Sequence, residues 1–425
     1  MNTKKVMGLI SQGNLDQNFI DIYVDTEQLA YQKKRYVDAI VKFEEQYGDG
    51  DIKIFSAPGR SEIGGNHTDH QHGKVLACAI NKDAIGIVKK VDKEEVRIVS
   101  DNSKEIVVDT TDLTIREEEK ESTLALIKGV LAGFHAKGYQ IGGFEAYITS
   151  DVLIGSGVSS SAAFETLIGA ILSGLYNNMM VSSTEIAMIG QFAENIYFGK
   201  PCGLMDQMAC SVGGLAYIDF LNPKNPYVEK ISFDLEKFGY SLCITDTKGS
   251  HADLTDEYAA IPEEMKRVAN YFGKEVLVDV PIDKLLSNVA DMRKVLSDRC
   301  ILRAIHFLGE NERVEEEVTA LKQENMEVFL ENVQSSGNSS YKFLQNVYSV
   351  KSIHQQNVSL ALALSETILG NNGVCRVHGG GFAGTIQAFV KNEFVKEYQT
   401  YMDQIFGKCS CSVLKIRKYG GIQVV

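Results

Sequence analysis

The stretch that most constrains this chain is residues 156–167, SGVSSSAAFETL, where three consecutive serines lead into an apolar segment. Residues 162–176 are apolar on nearly every side, which predicts a central, buried helix. A glycine- and serine-rich turn before such a helix presents backbone N–H groups at the positive end of the helix dipole, which suits a phosphate. Serine hydroxyls there can also ligate a hard cation. The alternative is a flexible loop that only precedes a buried helix, and this segment alone does not separate the two.

The composition indicates a globular protein of two or three domains. The chain has 425 residues, of which 44% are hydrophobic and 23% are charged, and a domain takes roughly 150 residues. The net charge of −13 argues against nucleic acid or an anionic membrane as the main partner. The longest apolar runs are too short to span a bilayer, and eight scattered cysteines suit reduced thiols. We expect a soluble, cytoplasmic protein that is a monomer or a weak homo-oligomer.

Periodicity and turn signals predict helices and strands that do not alternate regularly, which favours the α+β class with two domains, 1–225 and 226–425. The predicted helices are 25–47, 162–176, 182–198, 256–272, 291–308, 326–331, 347–369 and 393–406. The predicted strands are 52–55, 75–88, 96–99, 144–149, 240–246, 385–390 and 412–416. The sequence Ala-Pro-Gly at 57–59 predicts that the first of these strands ends there in a turn.

Residues 57–73, APGRSEIGGNHTDHQHG, concentrate polar groups in a glycine-rich stretch. Asn66, His67 and Asp69 are short polar side chains of the kind that bind sugar hydroxyls. Arg60 suits stabilisation of charge that develops on a phosphoryl group. Two alternatives remain open: the three histidines at 67, 70 and 72 form a metal cluster, or the stretch is a polar turn that satisfies its own backbone.

Two further segments carry candidate chemistry. In residues 192–209, Glu194 lies near a predicted helix C-terminus, where the dipole disfavours an anion and a nearby cation would offset it. The alternative is that Glu194 is a solvated surface residue. Asp206 stands in an apolar context where an unpaired carboxylate is costly. Residues 376–384, RVHGGGFAG, contain three consecutive glycines that allow close backbone approach to a ligand. A phosphate cradle, a cation ligand, a buried acid and an arginine together indicate phosphoryl transfer.

These segments resemble the motifs of the GHMP family of small-molecule kinases, most closely the galactokinases. Residues 57–73 resemble PGRxNxIGEHxDY, residues 155–162 resemble GxGLSSSA, residues 201–207 resemble PCGIMDQ, and residues 376–384 resemble RMTGGGFGG. Residues 246–258 and 303–314 resemble two further stretches, DTxxxHxLxxSEY and RxxHxxxENxRV. The motifs occur in the family's order from about residue 52 to residue 390. The resemblance implies a two-domain fold, an N-terminal α/β domain and a ferredoxin-like C-terminal domain, with the active site between them.

The resemblance also implies roles for individual residues. Arg60 would stabilise the transferring γ-phosphoryl group, and Asp206 would accept or orient the proton of the attacking sugar hydroxyl. ATP, the family's usual phosphoryl donor, would place its phosphates against Gly155, Gly157, Ser159, Ser160 and Ser161. Mg²⁺ would bridge the β- and γ-phosphates on Ser161 and Glu194. The sugar would contact Asn66, His67, Asp69, Gly203 and Tyr258. The implied reaction converts galactose to α-D-galactose 1-phosphate.

The chain departs from the family pattern at sugar-facing positions. Asn66 stands where galactokinases carry a Glu that typically holds the C6 hydroxyl, Glu62 where they carry Asn, His70 where they carry Tyr, and His378 where they carry Thr. A neutral amide at position 66 would remove repulsion against a carboxylate at C6, so galacturonate or another galactose derivative is an alternative substrate. The other interpretation is that Asn66 hydrogen-bonds the same C6 hydroxyl. A catalytically silent sugar sensor is an alternative of a different class, which the intact serine loop, Arg60 and Asp206 argue against.

Overall fold

Twelve strands form two sheets in the computed structural model, which describes residues 1–101, 103–152, 157–249 and 254–425. Within those ranges the strands are β1 (Lys53–Gly64), β2 (Lys74–Lys90), β3 (Glu95–Ser100), β4 (Ile106–Asp109), β5 (Phe144–Ser150), β6 (Leu215–Asp219), β7 (Tyr227–Ile231), β8 (Tyr240–Asp246), β9 (Gly373–Val377), β10 (Thr385–Lys391), β11 (Cys411–Leu414) and β12 (Ile422–Gln423). The larger sheet runs β12-β1-β2-β5-β3-β4, and β6 pairs with both β2 and β7 beside this path. The smaller sheet has the order β11-β8-β10-β9 and is antiparallel.

Helices cover both sheets. Within the described residues they are α1 (Thr3–Ser11), α2 (Asp16–Tyr23), α3 (Leu29–Tyr47), α4 (Thr123–Ala136), α5 (Ser160–Tyr176), α6 (Ser183–Phe192), α7 (Met205–Val212), α8 (Thr255–Tyr271), α9 (Ile282–Ser287), α10 (Val289–Met292), α11 (Asp298–Lys322), α12 (Met326–Ser339), α13 (Asn357–Leu369) and α14 (Val395–Phe406). π-helical turns extend α6 through Ala193–Phe198 and α12 through Ser340–Leu344. The α+β prediction is confirmed.

Helix α5 is the centre of the N-terminal half, as its all-round apolar sequence predicts. Its residues 167–172 are buried against α4, α6 and the larger sheet. Each fully buried Leu or Ile in such a layer contributes roughly 1.5–3 kcal/mol relative to exposure. The helix starts at Ser160, so the packed core fixes the positions of Ser159, Ser160 and Ser161 at its N-terminus.

The smaller sheet packs its own core against α13 and α14, through a cluster that includes Val358, Leu362, Val377, Ile386, Tyr398 and Met402. A separate cluster, with Ile63, Ala162, Leu242, Ile244 and Phe389 among its members, joins residues of both sheets. Strand β7 lies beyond residue 225 yet belongs to the larger sheet, and β12 returns to pair with β1. The division at residue 225 stays a prediction.

Several local predictions are wrong at identifiable points. Strand β1 does not end at Pro58: Pro58 pairs with Asp83, and a register shift between Pro58 and Arg60 shows that the Pro-Gly sequence makes a bulge. The helix predicted from residue 25 starts at Leu29, because the Asp25 side chain accepts from the Glu27 N–H in a local turn. The predicted helix 291–308 is two helices, α10 and α11, and only residues 357–369 of the predicted helix 347–369 are α-helical.

The N-terminal helices α1 and α2 have no counterpart in the sequence-based prediction. They pack with α3 on the outer face of β1 and β2, through Val6, Phe19, Tyr36, Ile54 and Ile87. Among the described helices, none is both long enough and apolar enough to cross a membrane.

Candidate active site

A bidentate ion pair joins the two residues that the sequence predicts to be catalytic. Arg60, on β1, donates from Nε to Asp206 Oδ1 at 2.7 Å and from Nη2 to Asp206 Oδ2 at 3.0 Å. Its third nitrogen, Nη1, donates to the Gly157 carbonyl oxygen at 2.6 Å. The Ser159 hydroxyl donates to Asp206 Oδ2. The structure therefore brings together Arg60, Asp206 and the serine loop, as the sequence predicts.

The electrostatics of this pair favour the ionised forms. Burial raises the pKa of Asp206, but the Arg60 charge and the hydrogen bonds from Arg60 and Ser159 outweigh burial, so the pKa lies below its ordinary value. Burial opposes the charge on Arg60 as well, and Asp206 reverses that effect, so the pKa of Arg60 is raised. Arg60 is buried, whereas a third of the Asp206 side chain is exposed and open to a substrate.

The serine loop adopts the conformation that a phosphate cradle needs. Ser159 precedes α5 in the left-handed region at φ 60°, and Ser160 and Ser161 form the first turn of the helix. Gly157 has φ 72°, and a Cβ there would lie 2.3 Å from Thr385 Oγ1 on the smaller sheet, so only glycine fits. The unpaired N–H groups of the first turn of α5 suit an anion. Gly155, also predicted to contact phosphate, lies outside the described residues.

A pair of buried carboxylates lies beside the first turn of α5. The Ser161 hydroxyl donates to Glu194 Oε1 at 3.4 Å. The Gln207 amide Nε2 donates to Glu194 Oε2 at 2.8 Å and to Glu165 Oε2 at 3.1 Å, so one amide joins the two acids. Glu194 lies on the π-helical turn that follows α6, and such turns are frequent at functional sites. The ammonium of Lys200, a mostly exposed side chain, has its Nζ 3.5 Å from Glu194 Oε1.

Glu165 is a candidate site residue that the sequence reasoning missed. It is buried, and its Oε1 has no hydrogen-bond partner among the described residues. Burial and the neighbouring charge of Glu194 raise its pKa well above the ordinary value. The spacing of four residues from Ser161 places both side chains on one helix face, and this was the available signal. Two buried carboxylates and a hydroxyl form a hard oxygen donor set that fits a divalent cation such as Mg²⁺.

Asp69 lies close to Asp206, whose charge acts on it. Its Oδ1 accepts from the His70 N–H at 2.9 Å, and its Oδ2 accepts from the Met205 N–H at 3.4 Å. A Cβ at Gly203 would lie 1.7 Å from Asp69 Oδ2, so the absence of a side chain at Gly203 makes room for this carboxylate. Burial and the charge of Asp206 raise the pKa of Asp69 to about 6. The sequence-predicted residues Asp69 and Gly203 are in contact beside Asp206.

His67 and Tyr258 hold the glycine cluster of residues 379–381 from two sides. The His67 ring bonds through Nε2 to the Gly380 carbonyl oxygen at 3.0 Å, and the Tyr258 hydroxyl donates to the Gly381 carbonyl oxygen at 2.9 Å. Because a carbonyl only accepts, Nε2 of His67 carries the hydrogen and Nδ1 is left as an acceptor. Burial lowers the pKa of His67 to about 4, so its ring is neutral near pH 7.

Asn66, which the sequence reasoning placed against the sugar, lies in a fully buried hydrogen-bond network. Its Nδ2 donates to Glu62 Oε1 at 3.0 Å and to the Gly379 carbonyl oxygen at 2.7 Å. Its Oδ1 accepts from Asn346 Nδ2 at 2.9 Å and from the Ser340 hydroxyl at 3.2 Å. Both donors and both acceptor positions of the amide are therefore in use, and none is left for a sugar hydroxyl in this conformation.

Glu62 and Asn66, two positions at which the chain departs from the family motif, are in contact with each other. The motif has Asn and then Glu where this chain has Glu62 and then Asn66, and here the two side chains are hydrogen-bonded. Glu62 is also paired with the buried guanidinium of Arg376, with Nη2 and Oε1 2.5 Å apart. Burial raises the pKa of Glu62 to about 7, while Arg376 and Arg60 oppose that shift. The chain has exchanged the positions of one carboxylate and one amide within a single network.

His70 and His378 contact other side chains of the protein. Within the described residues no trio of histidine, cysteine, aspartate or glutamate is arranged to hold a metal ion, so the histidine cluster has no support here. His378 is buried, accepting at Nε2 from the Glu62 N–H at 3.3 Å, and burial lowers its pKa well below the ordinary value. The rings of His67 and His70 are 5.7 Å apart.

We predict that single substitutions at Glu62 and Asn66 lower the unfolding free energy and that their effects are coupled. Glu62→Asn leaves Arg376 buried without its anion, and Asn66→Glu places a second carboxylate beside Glu62. We expect each single variant to lose about 3–5 kcal/mol of unfolding free energy. The double variant restores one carboxylate beside one amide, so its loss should be smaller than the sum by about 1–3 kcal/mol.

Urea denaturation of the four proteins measures this coupling. Glu117→Asn, at an exposed position, is the matched control and should change the unfolding free energy by less than about 0.5 kcal/mol. Strictly additive losses would show that the two positions act independently.

Two family models match this chain. The model described as "Galactokinase galactose-binding signature" matches residues 41–90, which include β1 and the 57–73 segment. The model described as "GHMP kinases N terminal domain" matches residues 125–214, which include the serine loop, Glu194 and Asp206.

Relatives along the whole chain agree with these matches. The galactokinase of Glaesserella parasuis serovar 5 is 30% identical over 386 residues, which cover 87% of this chain and 96% of that relative. A galactokinase of Actinobacillus pleuropneumoniae is 31% identical over 384 residues, covering 88% and 96%. In fold, the chain resembles the crystal structure of Lactococcus lactis galactokinase complexed with galactose, with a TM-score of 0.74 at 24% identity over 90% of this chain and 97% of that one. It also resembles the Methanococcus jannaschii mevalonate kinase, with a TM-score of 0.60 at 17% identity over 86% and 99% of the two chains. With this identity maintained along nearly the full length of its relatives, the chain belongs to the galactokinase family of GHMP kinases.

Proposed function

We propose that this protein transfers the γ-phosphoryl group of ATP to the anomeric hydroxyl of galactose, giving α-D-galactose 1-phosphate and ADP. The observation that carries the proposal is the bidentate Arg60–Asp206 pair directly beneath the N-terminus of α5. Galactokinases aligned along nearly the whole chain support the choice of sugar. The oxygen at C1 bonds to the γ-phosphorus, the bond from that phosphorus to the ADP oxygen breaks, and the C1 hydroxyl gives up its proton.

The roles of the two central residues follow from their charges. Asp206 is a weak base because its pKa lies below the ordinary value. It therefore orients the C1 hydroxyl in the ground state and takes the proton late, when bonding to phosphorus has made that hydroxyl acidic. Arg60 holds Asp206 in place and offers a positive charge to the phosphoryl oxygens during transfer. Ser160 and the Gly157 region would contribute backbone N–H groups around the phosphates.

Ser161 and Glu194 would hold the divalent cation, with Glu165 behind them. When bound, Mg²⁺ would neutralise negative charge on the phosphates of the nucleotide. The Glu165 oxygen without a hydrogen-bond partner among the described residues supports this assignment, as does the Gln207 amide, which holds both carboxyl groups beside the first turn of α5.

Asp69, His67, Gly203 and Tyr258 are the proposed sugar-facing residues. The Asp69 carboxylate accepts hydrogen bonds from sugar hydroxyls, and the neutral His67 ring offers an acceptor at Nδ1. We assign Asn66 to the support of this site, because its amide is fully engaged within the protein. The argument for galacturonate rested on a missing carboxylate at position 66. Glu62 keeps a carboxyl group in hydrogen-bond contact with Asn66, so the site does not lack one. Galactose is therefore the proposed substrate.

The first test is ADP release with galactose, galacturonate, N-acetylgalactosamine and arabinose. We expect galactose to give the highest kcat/KM. Asp206→Asn should lower kcat by about 10²–10⁴-fold with a much smaller change in galactose KM, because the acid acts in the transition state. A higher kcat/KM for galacturonate would refute the proposed substrate, and equal losses in kcat and galactose affinity would reassign Asp206 to binding.

A second test uses the pKa of Asp69, which is raised to about 6. The galactose KM should rise as the pH falls from 7 to 5, because a protonated carboxyl loses acceptor capacity. Asp69→Asn should give a high galactose KM that does not depend on pH over the same range. The folded-state pKa lies above the ordinary 3.8, so the stabilising effect of this group is complete below pH 3.8 and lost as the pH rises through about 6. Titration of Asp69 therefore cannot unfold the protein at pH 5, and a pH-independent wild-type KM would contradict its assignment.

A third test concerns the cation. Glu194→Gln and Glu165→Gln should each raise the Mg²⁺ concentration that half-saturates ATP turnover, by about 10–100-fold. Glu331→Gln, an exposed acid on α12, serves as the matched control and should leave that concentration unchanged. An unaltered Mg²⁺ requirement in Glu165→Gln would remove Glu165 from the cation site.

A further inference from the structure

The segment of residues 65–74, which carries two of the proposed sugar-facing residues, is held at its N-terminal end by helix α11. The Gly65 N–H and the Asn66 N–H both donate to Glu310 Oε1 at 3.2 Å. The Asn66 carbonyl oxygen accepts from His306 Nε2 at 2.9 Å, and Nε2 carries the hydrogen because a carbonyl only accepts. The backbone N–H and C=O of Asn66 are therefore bound by two side chains that lie one turn apart on α11.

The C-terminal end of the segment is held by the same helix. Asn311 Oδ1 accepts from the Lys74 N–H at 2.8 Å. A Cβ at Gly73 would lie 2.5 Å from Asn311 Oδ1 and 2.9 Å from Phe307 Cε2, so the absence of a side chain there lets the backbone lie against α11. The 303–314 stretch, to which the proposed function gives no role, thus contacts the segment at both ends.

The side chains of α11 that bind the segment are themselves fixed by neighbours. Arg313 Nε donates to Glu310 Oε2 at 2.8 Å, and the Ser336 hydroxyl donates to Glu310 Oε1 at 2.6 Å. Burial raises the pKa of Glu310, but the charge of Arg313 and other nearby groups outweighs burial and lowers the pKa to about 2. The hydroxyl of Ser339 lies 2.9 Å from His306 Nδ1, and burial lowers the pKa of His306. The segment is therefore bound by an ionised acceptor and a neutral donor near pH 7.

The held end of the segment precedes a residue in an unfavourable backbone conformation. His67 has φ 57°, in the left-handed region that residues other than glycine rarely adopt. Such a conformation persists where the surrounding structure over-determines it. The bonds of Glu310 and His306 to the backbone of Asn66 do so on one side, and the bond between the His67 ring and the Gly380 carbonyl oxygen does so on the other.

We propose that His306, Glu310 and Asn311 are positioning residues, which hold the segment 65–74 in the conformation that binds the sugar. The inference rests on the proposed function, since that function places galactose against this segment. The three residues bind the backbone of the segment at its two ends, whereas the proposed sugar contacts lie between those ends. Loss of one of these hydrogen bonds should therefore weaken galactose binding, although none of the three side chains is assigned to the sugar itself.

The phosphate-binding side of the site has other supports. The hydroxyls of Ser159 and Ser161 donate to the carboxylates of Asp206 and Glu194, and neither bond involves α11. We therefore expect galactose binding to weaken more than ATP binding. Because Asp69 accepts from the N–H of the residue before Asp206, a shift of the segment also alters kcat. The diagnostic comparison is accordingly between the two dissociation constants.

Asn311 is the best position to test, because it is only partly buried and its bond is to a backbone N–H. Asn311→Leu keeps a side chain of similar size without the acceptor, and it should raise the galactose Kd and KM by about 3–10-fold. Asn311→Asp keeps the acceptor and should stay within about twofold of wild type. The ATP Kd, measured by calorimetry without sugar, should stay within about twofold in both variants. Thr319→Leu, at an exposed position of α11, is the matched control and should change neither Kd.

A second pair of variants tests the other end of the segment. His306→Phe removes the donor to the Asn66 carbonyl oxygen and leaves that oxygen buried, so the galactose Kd should rise by about 10-fold or more. His306→Gln supplies a donor at Nε2 and should return the galactose Kd to within about threefold of wild type.

Two further readouts separate positioning from general stability. Amide hydrogen exchange at Lys74 should be faster in Asn311→Leu than in wild type and unchanged in Asn311→Asp. An unchanged galactose Kd together with a lower thermal midpoint in Asn311→Leu would show that α11 only stabilises the fold, and it would overturn this inference while the proposed function stands. Equal rises in the galactose and ATP Kd would overturn it as well. If the wild-type protein binds ATP but neither binds nor phosphorylates galactose, the proposed function falls first, and this inference falls with it.

Discussion

The Arg60–Asp206 pair sets the requirements that its surroundings must meet. Withdrawing two charges from water costs several kcal/mol for each ion, and only good geometry with further hydrogen bonds repays that cost. Here that cost is offset by two parallel N–H···O bonds between Arg60 and Asp206. Arg60 also donates to the Gly157 carbonyl oxygen, and the Ser159 hydroxyl donates to Asp206. A bulge in β1 aims Arg60 at this partner, and the packed core behind α5 keeps the loop in place. The proposed catalytic geometry is therefore present before any substrate arrives, and such electrostatic preorganisation lowers a reaction barrier.

The proposed sugar site is assembled from both halves of the chain. Asn66 and His67 form hydrogen bonds with the glycine cluster at 379–381. Glu62 and Arg376 form an ion pair between the same two parts of the chain. Since the network is buried, each of its polar groups must find a partner within the protein. A substitution in this network consequently affects the hydrogen bonds of the neighbouring side chains. The exchange of Glu62 and Asn66 changes the order of the two residues in the motif but keeps one carboxyl group and one amide in the network.

Features with local causes could be predicted from the sequence. The start of the helix predicted from residue 182, the strand 240–246 and the buried helix after the serine loop follow from side-chain periodicity and short-range hydrogen bonds. The course of β1 through Pro58 could not, because pairing with β2 overrides the turn signal. The family motif gathered Arg60, Asp206 and Asp69 correctly in space. The buried network around Asn66 could not be predicted, because it depends on residues such as Asn346 and Ser340, which lie far away in sequence.

The pairing of β12 with β1 has a consequence for how the protein is made. Phe55 faces Gln423 and Ser56 faces Ile422, so β1 pairs with a strand that is far away in sequence and is synthesised much later. Contacts of such large sequence separation slow folding, and an unpaired edge is exposed to other chains until they form. The edge of β1 thus stays open until β12 is available to pair with it. Loss of β12 would leave that edge unpaired and able to associate with other chains.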